Sequence, residues 1–275
     1  MTLLVFIRGG GDLASGVAWR LHRAGLRVMM AELPQPLVVR RLVSFAEAVY
    51  RGEFEVEGLT ALRAESVAQA WDILAQGKIP VLVDPQASAL ESMRASSGSE
   101  MPLVLVDARM TKQRPDASLA AADLVIGLGP GFIAGEHCHA VIETSRGHHL
   151  GRVYWQGTTQ SDTGVPDPVS GHGRERVLRS PAEGLLYTHA EIGDSLQQGQ
   201  LIAEVAGMPV QAPFDGVLRG LLHPGLQVRR GMKIGDVDPR NDPRFCSLIS
   251  DKSLAMGGSV LEAILSVSRL RPYLW

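Results

Sequence analysis

Short, largely apolar runs recur along the first half of the chain: Leu3 to Ile7, Arg27 to Ala31, Pro80 to Val83, Leu103 to Val106 and Leu124 to Ile126. Between them lie stretches with helical spacing. Leu13, Val17, Leu21 and Ala24 form one apolar stripe, and Val67, Ala70, Trp71 and Leu74 form another. Apolar runs of this length, bounded by amphipathic helices, predict strands of a parallel sheet covered on both faces. Ser44 with Glu47 three positions later reads as a capping box that starts a helix at Phe45.

The pattern breaks from Gly157 to Gly173, where Gly and Pro are frequent and no apolar period survives, which predicts a long loop. Beyond it an ungapped repeat appears. Ser180 to Val205 aligns with Ala212 to Val237 at an offset of 32, matching Pro181 with Pro213, Gly184 with Gly216, Gly193 with Gly225, Gly199 with Gly231 and Val205 with Val237. Two copies of one short-stranded unit complete each other's core. The module resembles the biotinyl/lipoyl barrel-sandwich fold. The link from Val205 to Ala212 holds no lysine, so no biotin or lipoate is expected there, and Asp236, Asp238 and Arg240 are expected to form a charged edge.

Arg8-Gly-Gly-Gly-Asp-Leu-Ala-Ser-Gly16 follows the first strand and opens the first helix. Gly9, Gly11 and Ala14 fit the dinucleotide fingerprint G-x-G-x-x-A, in which the first glycine makes the turn, the second admits a pyrophosphate and the third position allows close helix packing. The candidate cofactor site is therefore Gly9, Gly10, Gly11, Asp12, Leu13 and Ala14, with Glu32, 21 residues after Gly11, placed to bond a ribose diol. Three glycines that simply make a tight turn are the alternative. Asp12 would compete with a phosphate for the helix-start donors. A second glycine turn, Gly127, Gly129 and Gly131, ends the run that begins at Leu124 and is a further candidate.

The fold expected from these signals is α/β: a Rossmann-like parallel-sheet domain over 1–156, a linker or functional loop over 157–178, a barrel-sandwich domain over 179–240 and a helical segment over 241–275. His137-Cys138-His139 is the one compact cluster of soft ligands. In an extended segment His137 and His139 would emerge on one face about 6.6 Å apart, close enough to share a metal, with Cys138 pointing away. Cys138 is also the candidate nucleophile or sulfur or selenium carrier if a neighbouring imidazolium lowers its pKa; a small buried thiol is the alternative.

The formal net charge of -2 leaves no basic surplus for a nucleic acid or a membrane surface. Met1 to Ile7 is too short for a signal peptide or membrane span, and two cysteines over a hundred positions apart make no disulfide framework. A cytoplasmic protein is expected, and a homo-oligomer is compatible with all of this.

Ile7 to Gly16, Glu32-Leu-Pro-Gln-Pro36, His139-Ala-Val-Ile-Glu-Thr144, Arg146-Gly-His148, Leu150-Gly-Arg-Val153, Thr163-Gly-Val-Pro166 and Lys233 to Arg240 together resemble the accessory proteins of selenium-dependent molybdenum hydroxylases, which are similar in their N-terminal half to xanthine dehydrogenase accessory proteins. The resemblance implies a maturation role, a molybdopterin cytosine dinucleotide ligand, and a molybdenum hydroxylase or another cofactor-maturation protein as partner. The fingerprint and Glu32 equally suit NAD, which gives an NAD-dependent oxidoreductase as the alternative. No His-Asp or Tyr-Lys spacing nominates an acid or base for hydride transfer, so the sequence leans toward binding and leaves catalysis open.

Overall fold

A computed structural model describes residues 3–97, 101–111, 115–162, 164–165 and 168–274. The chain forms two units, each built from separated stretches. One comprises Met1–Pro36, Phe45–Asp162 and Ile249–Trp275; the other comprises Leu37–Ser44 and Thr163–Leu248.

The first unit is organised by a nine-stranded sheet. Its strands are β1 (Leu4–Arg8), β2 (Arg27–Glu32), β3 (Glu53–Val56), β4 (Leu59–Ala64), β5 (Ile79–Val83), β6 (Leu103–Asp107), β7 (Leu124–Leu128), β8 (Ala140–Ile142) and β9 (Val153–Tyr154), in the order β3-β4-β5-β2-β1-β6-β7-β8-β9. The expected parallel, Rossmann-like sheet is corrected: the sheet is mixed, because β3 runs antiparallel to β4 and β9 antiparallel to β8. The β3–β4 hairpin turns at Glu57 and Gly58, both at positive φ, as a tight two-residue hairpin requires. Glu53 to Val56 alternates polar and apolar, a half-exposed edge pattern that a search for continuous apolar runs passes over.

Side chains of a strand alternate between faces. Leu4, Phe6, Met29, Ala31, Leu103 and Leu105 share one core with α3 (Val67–Ala75) and α4 (Ala89–Ser97). On the helical layer that includes α1 (Asp12–Arg23) and α5 (Asp251–Ser266), the two helices touch each other closely: a Cβ on Gly16 would lie 2.6 Å from the Ser253 carbonyl oxygen, and one on Gly257 2.7 Å from the Gly16 oxygen. The spacing-based helices at Leu13 and Val67 form as α1 and α3. The capping box at Ser44 does not form. Ser44 Oγ donates to the Arg40 carbonyl, Glu47 accepts from Arg51 Nε, and α2 starts only at Glu47 and ends at Arg51. Phe45 N–H is taken instead by Ser15 Oγ, so a tertiary bond displaces the local one.

The second unit contains two four-stranded antiparallel sheets. Its strands are β10 (Val177–Arg179), β11 (Gly184–Thr188), β12 (Ser195–Leu196), β13 (Leu201–Val205), β14 (Met208–Gln211), β15 (Gly216–Leu221), β16 (Gln227–Val228) and β17 (Lys233–Asp238). Their orders are β10-β17-β15-β12 and β14-β13-β11-β16. These two sheets replace the barrel-sandwich module expected from the repeat. The 32-residue offset carries β10, β11, β12 and β13 onto β14, β15, β16 and β17, and so converts one strand order into the other. Each sheet thus mixes strands of both copies, and Leu186, Ile202, Val205, Leu218, Ile234 and Val237 fill a shared core. Within the loop expected at 157–178 lie a short 3-10 turn at Arg174–Arg176 and the start of β10, while Thr163 and Pro166 fall outside the described residues.

The charged edge expected of Asp236 and Asp238 is also corrected. Both are buried: Asp236 accepts from Arg176 and Arg219, and Asp238 from Arg219 and Arg240. A strand-end carboxylate survives burial only when such partners satisfy it. Among the described residues no helix is long and apolar enough to cross a membrane.

Candidate functional site

In the first unit, β2 lies on one side of β1 and β6 on the other, so the strand order reverses at β1. Open α/β sheets bind ligands outside the carboxyl ends of their strands at such a reversal. Four charged side chains, Arg8, Asp107, Arg109 and Asp116, converge there. Arg8 closes β1 and Asp107 closes β6, and the two are register partners across the parallel pair. Arg8 is 6% exposed and Asp107 1%, so both would be costly without partners.

The partners come from the segment that leaves β6. Asp107 Oδ1 accepts from Arg109 N at 3.3 Å and Nε at 3.0 Å, and Oδ2 accepts from Arg109 Nη2 at 2.6 Å. Asp107 also lies 3.8 Å from Arg8 Nη1. Arg8 then places its fork on Asp116, Nη1 to Oδ1 at 3.0 Å and Nη2 to Oδ2 at 3.2 Å, and Arg109 Nη2 donates to the same Oδ1. Hydrogen bonds from Arg109 and Arg8, with their charges, hold Asp116 well below the usual carboxylate range against a smaller opposing effect of burial. Burial favours the neutral form of Arg109, but its bonds to Asp107 and Asp116 outweigh this and raise its pKa.

The glycine turn sits beside this cluster. Gly9, at φ 99°, donates its N–H to Ala31 O at 2.8 Å. Gly10 is packed where a Cβ would lie 2.9 Å from Ala46 N, and Ala46 N–H donates to Gly10 O. Gly10 N–H itself goes to Glu32 Oε1 at 3.0 Å, while Leu33 N–H goes to Oε2 at 2.6 Å. Burial pushes the Glu32 carboxyl up, and these two bonds pull only partly the other way. Gly11 is the N-cap of α1 and, as glycine, brings no capping side chain; Asp12 and Leu13 are half-buried there, and Ala14 is buried.

The second glycine turn lies at the carboxyl end of β7, one strand beyond β6 and so about 10 Å from β1 along the same edge. Here packing sets two of the residue types. A Cβ on Gly127 would enter the Phe132 ring at 2.3 Å, and Gly129, at φ 79°, faces Thr144 Oγ1; Gly131 is also at positive φ.

His137, Cys138 and His139 lie in the connection that precedes β8 rather than in an extended strand. His139 Nδ1 accepts from Val125 N at the start of β7, the end of that strand opposite to the glycine turn. His137 Nδ1 accepts from Ile133 N, and its Nε2 lies 3.3 Å from Glu136 Oε1 but out of line for a hydrogen bond. Cys138 is fully buried, donates weakly to Ile133 O, and is pushed up to about 11 by burial. Among the described residues no three His, Cys, Asp or Glu side chains converge as a metal site.

Asp107, Arg109 and Asp116 were not among the residues expected from sequence. A signal for two of them exists: Asp107 ends an uninterrupted apolar run, and an arginine two positions on can close both its backbone N–H and its guanidinium onto that carboxylate. Asp238 with Arg240 and Asp242 with Arg244 repeat the same local clamp.

No family model matches the chain. It is 47% identical over 262 residues to an uncharacterized protein, YqeB, of Escherichia coli K12, covering 95% of this chain and 47% of that one. The chain therefore spans about half the length of the curated relative it matches. Among solved structures it is similar to an aspartoacylase family protein from Mesorhizobium loti, at 10% identity and a TM-score of 0.27 over 86% of this chain and 84% of that one. A succinylglutamate desuccinylase from a Silicibacter species gives 14% identity and a TM-score of 0.25 over the same shares. At such values neither fold nor activity transfers to this chain. The expected kinship with molybdenum hydroxylase accessory proteins, and the NAD-dependent oxidoreductase read beside it, are corrected by the first two findings: no family model matches the chain, and the relative it matches at 47% identity is an uncharacterized protein.

Proposed function

We propose that the first unit binds a small polar metabolite in the crevice at the carboxyl ends of β1 and β6. The observation that carries this reading is the buried, register-matched Arg8–Asp107 pair at the strand-order reversal. A buried ion pair is weak evidence for stability, since well-packed apolar residues of similar volume often serve as well. Its position at the reversal, with Arg109 and the start of α1 beside it, instead favours a recognition role. In this reading Gly9 to Ala14 and Glu32 form one wall and Gly129 with Thr144 the far wall. The free, buried thiols of Cys138 and Cys246 support a reducing, cytoplasmic setting.

The test is affinity capture of metabolites from a cell extract, read by native mass spectrometry. The wild-type chain should retain a small-molecule mass that Arg109→Met loses and Arg244→Met keeps. Arg244 makes the same local clamp on Asp242 in the other unit, which makes it a control for a generic arginine effect. A mass retained equally by Arg109→Met would place the ligand elsewhere.

A further inference from the structure

We propose that the ligand of this crevice carries a carboxylate, and that Asp116 holds the place of that carboxylate between Arg8 and Arg109. The inference rests on the reading of the crevice as a ligand site. The two carboxylates of the cluster differ sharply in how they are held. The Asp107 side chain is 1% exposed and fixed at a strand end, whereas that of Asp116 is 58% exposed and reaches the arginines from the segment beyond β6. Asp107 is thus part of the frame, and Asp116 can leave into water at small cost in desolvation.

What Asp116 occupies has the form of a carboxylate receptor. Arg8 offers two parallel donors to the two oxygens of one planar group, and Arg109 adds a third donor to Oδ1. Fork-on-fork recognition of this kind selects planar, bidentate acceptors. Charge balance points the same way. Arg8 and Arg109 against Asp107 and Asp116 sum to zero, and one ligand carboxylate group seated in place of Asp116 keeps that sum, any second carboxylate of the ligand lying outside the forks as Asp116 does when it leaves them. A phosphate monoester dianion would leave a net negative charge beside the buried Asp107. Binding then exchanges one carboxylate for another, and the apparent affinity is lowered by the fraction of molecules in which Asp116 occupies the forks.

The full chain is titrated with succinate and with inorganic phosphate as probes, by calorimetry and by NMR of the arginine Nε–Hε and backbone amide signals. Asp116→Ala and the near-isosteric Asp116→Asn are compared with wild type, folding being checked by thermal melting. Both variants should bind succinate tighter than wild type by about tenfold to a hundredfold, with the Arg109 Nε–Hε signal shifting on binding. Adding Arg8→Met to either variant should abolish the gain. Succinate that shifts the amides of Gly9 to Leu13 with equal affinity in all three proteins would overturn the role of Asp116 while leaving the crevice as a ligand site. Phosphate binding more tightly than succinate to the Asp116 variants would overturn the carboxylate assignment. If neither probe shifts any signal at the carboxyl ends of β1, β6 or β7 in folded variants, this inference fails. The broader reading then stands or falls on the metabolite capture.

Discussion

At the scale of single residues, the chemistry of this chain is set by carboxylates that end strands and by the arginines that make their burial tolerable. Asp238 shows the consequence for stability. Burial alone would raise its pKa, but the side-chain and backbone bonds from Arg240, with the charges of Arg219 and Arg240, outweigh burial and hold it below its usual value. A carboxylate depressed in the folded state contributes stability that is present above the unfolded pKa, about 3.9, and is lost as the pH falls through the folded value. Asp238→Asn should therefore cost about 3 to 5 kcal/mol at neutral pH, by leaving Arg219 and Arg240 short of a partner. It should also flatten the acid limb of the stability curve below about pH 4. Hydrogen exchange of β15 and β17 across pH 3 to 7 checks both; an acid limb as steep in the variant as in wild type would show that the stabilisation comes from other groups.

At the scale of elements, the packing of α1 on α5 is decided by glycines. Gly16 sits inside α1 and Gly257 inside α5, where alanine would ordinarily stabilise a helix by up to about 1 kcal/mol. Here a Cβ on either glycine meets backbone or a Cβ of the facing helix at 2.6 to 2.7 Å. Backbone cannot swing aside, so overpacking of about 1 to 3 kcal/mol or more outweighs the propensity gain. Gly16→Ala and Gly257→Ala should each lower the urea midpoint. Gly258→Ala, one residue along with open space around it, should raise it by the propensity amount. Trp19, Trp71 and Trp155 lie in the first unit and the sequence of the second holds no tryptophan, so tryptophan fluorescence reports the unfolding of the first. Equal effects of alanine at 257 and 258 would contradict the close contact. The helices themselves were legible, since Leu13, Val17 and Leu21 keep a strict period. What they pack against was not, because a glycine that permits contact leaves the same mark in a sequence as one that merely weakens a helix. The site was half legible for a related reason. The glycine turn announces itself by composition, whereas Asp116 joins Arg8 across 108 positions with no local pattern to betray it.

At the scale of the whole molecule, the second unit is not a contiguous stretch of chain. The repeat makes 180 to 237 look self-sufficient, yet Leu37–Ser44 belongs to the same unit. Val39 packs against its core, and Val39 O accepts from Leu221 N at 2.9 Å. Arg41 Nε donates to Leu221 O at 2.7 Å. Gly220 lacks the Cβ that would lie 2.7 Å from Val39 Cγ1, so β15 carries a notch shaped for this segment. No periodicity or turn signal could assign eight residues to a module that begins well over a hundred positions later. The expectation is that a fragment covering 163–248 folds less stably than one in which 37–44 is joined to it by a flexible Gly/Ser linker. The deficit should be about 1 to 3 kcal/mol, the scale of burying one valine and making two hydrogen bonds. The linked segment must also repay its own ordering entropy, so the gain sits toward the lower figure unless the linker is short. Urea unfolding followed by Tyr187 fluorescence compares the two fragments, and Val39→Asp in the linked form should return its midpoint to that of the bare fragment. Coincident midpoints for all three would mean that the segment rests on a unit already complete without it.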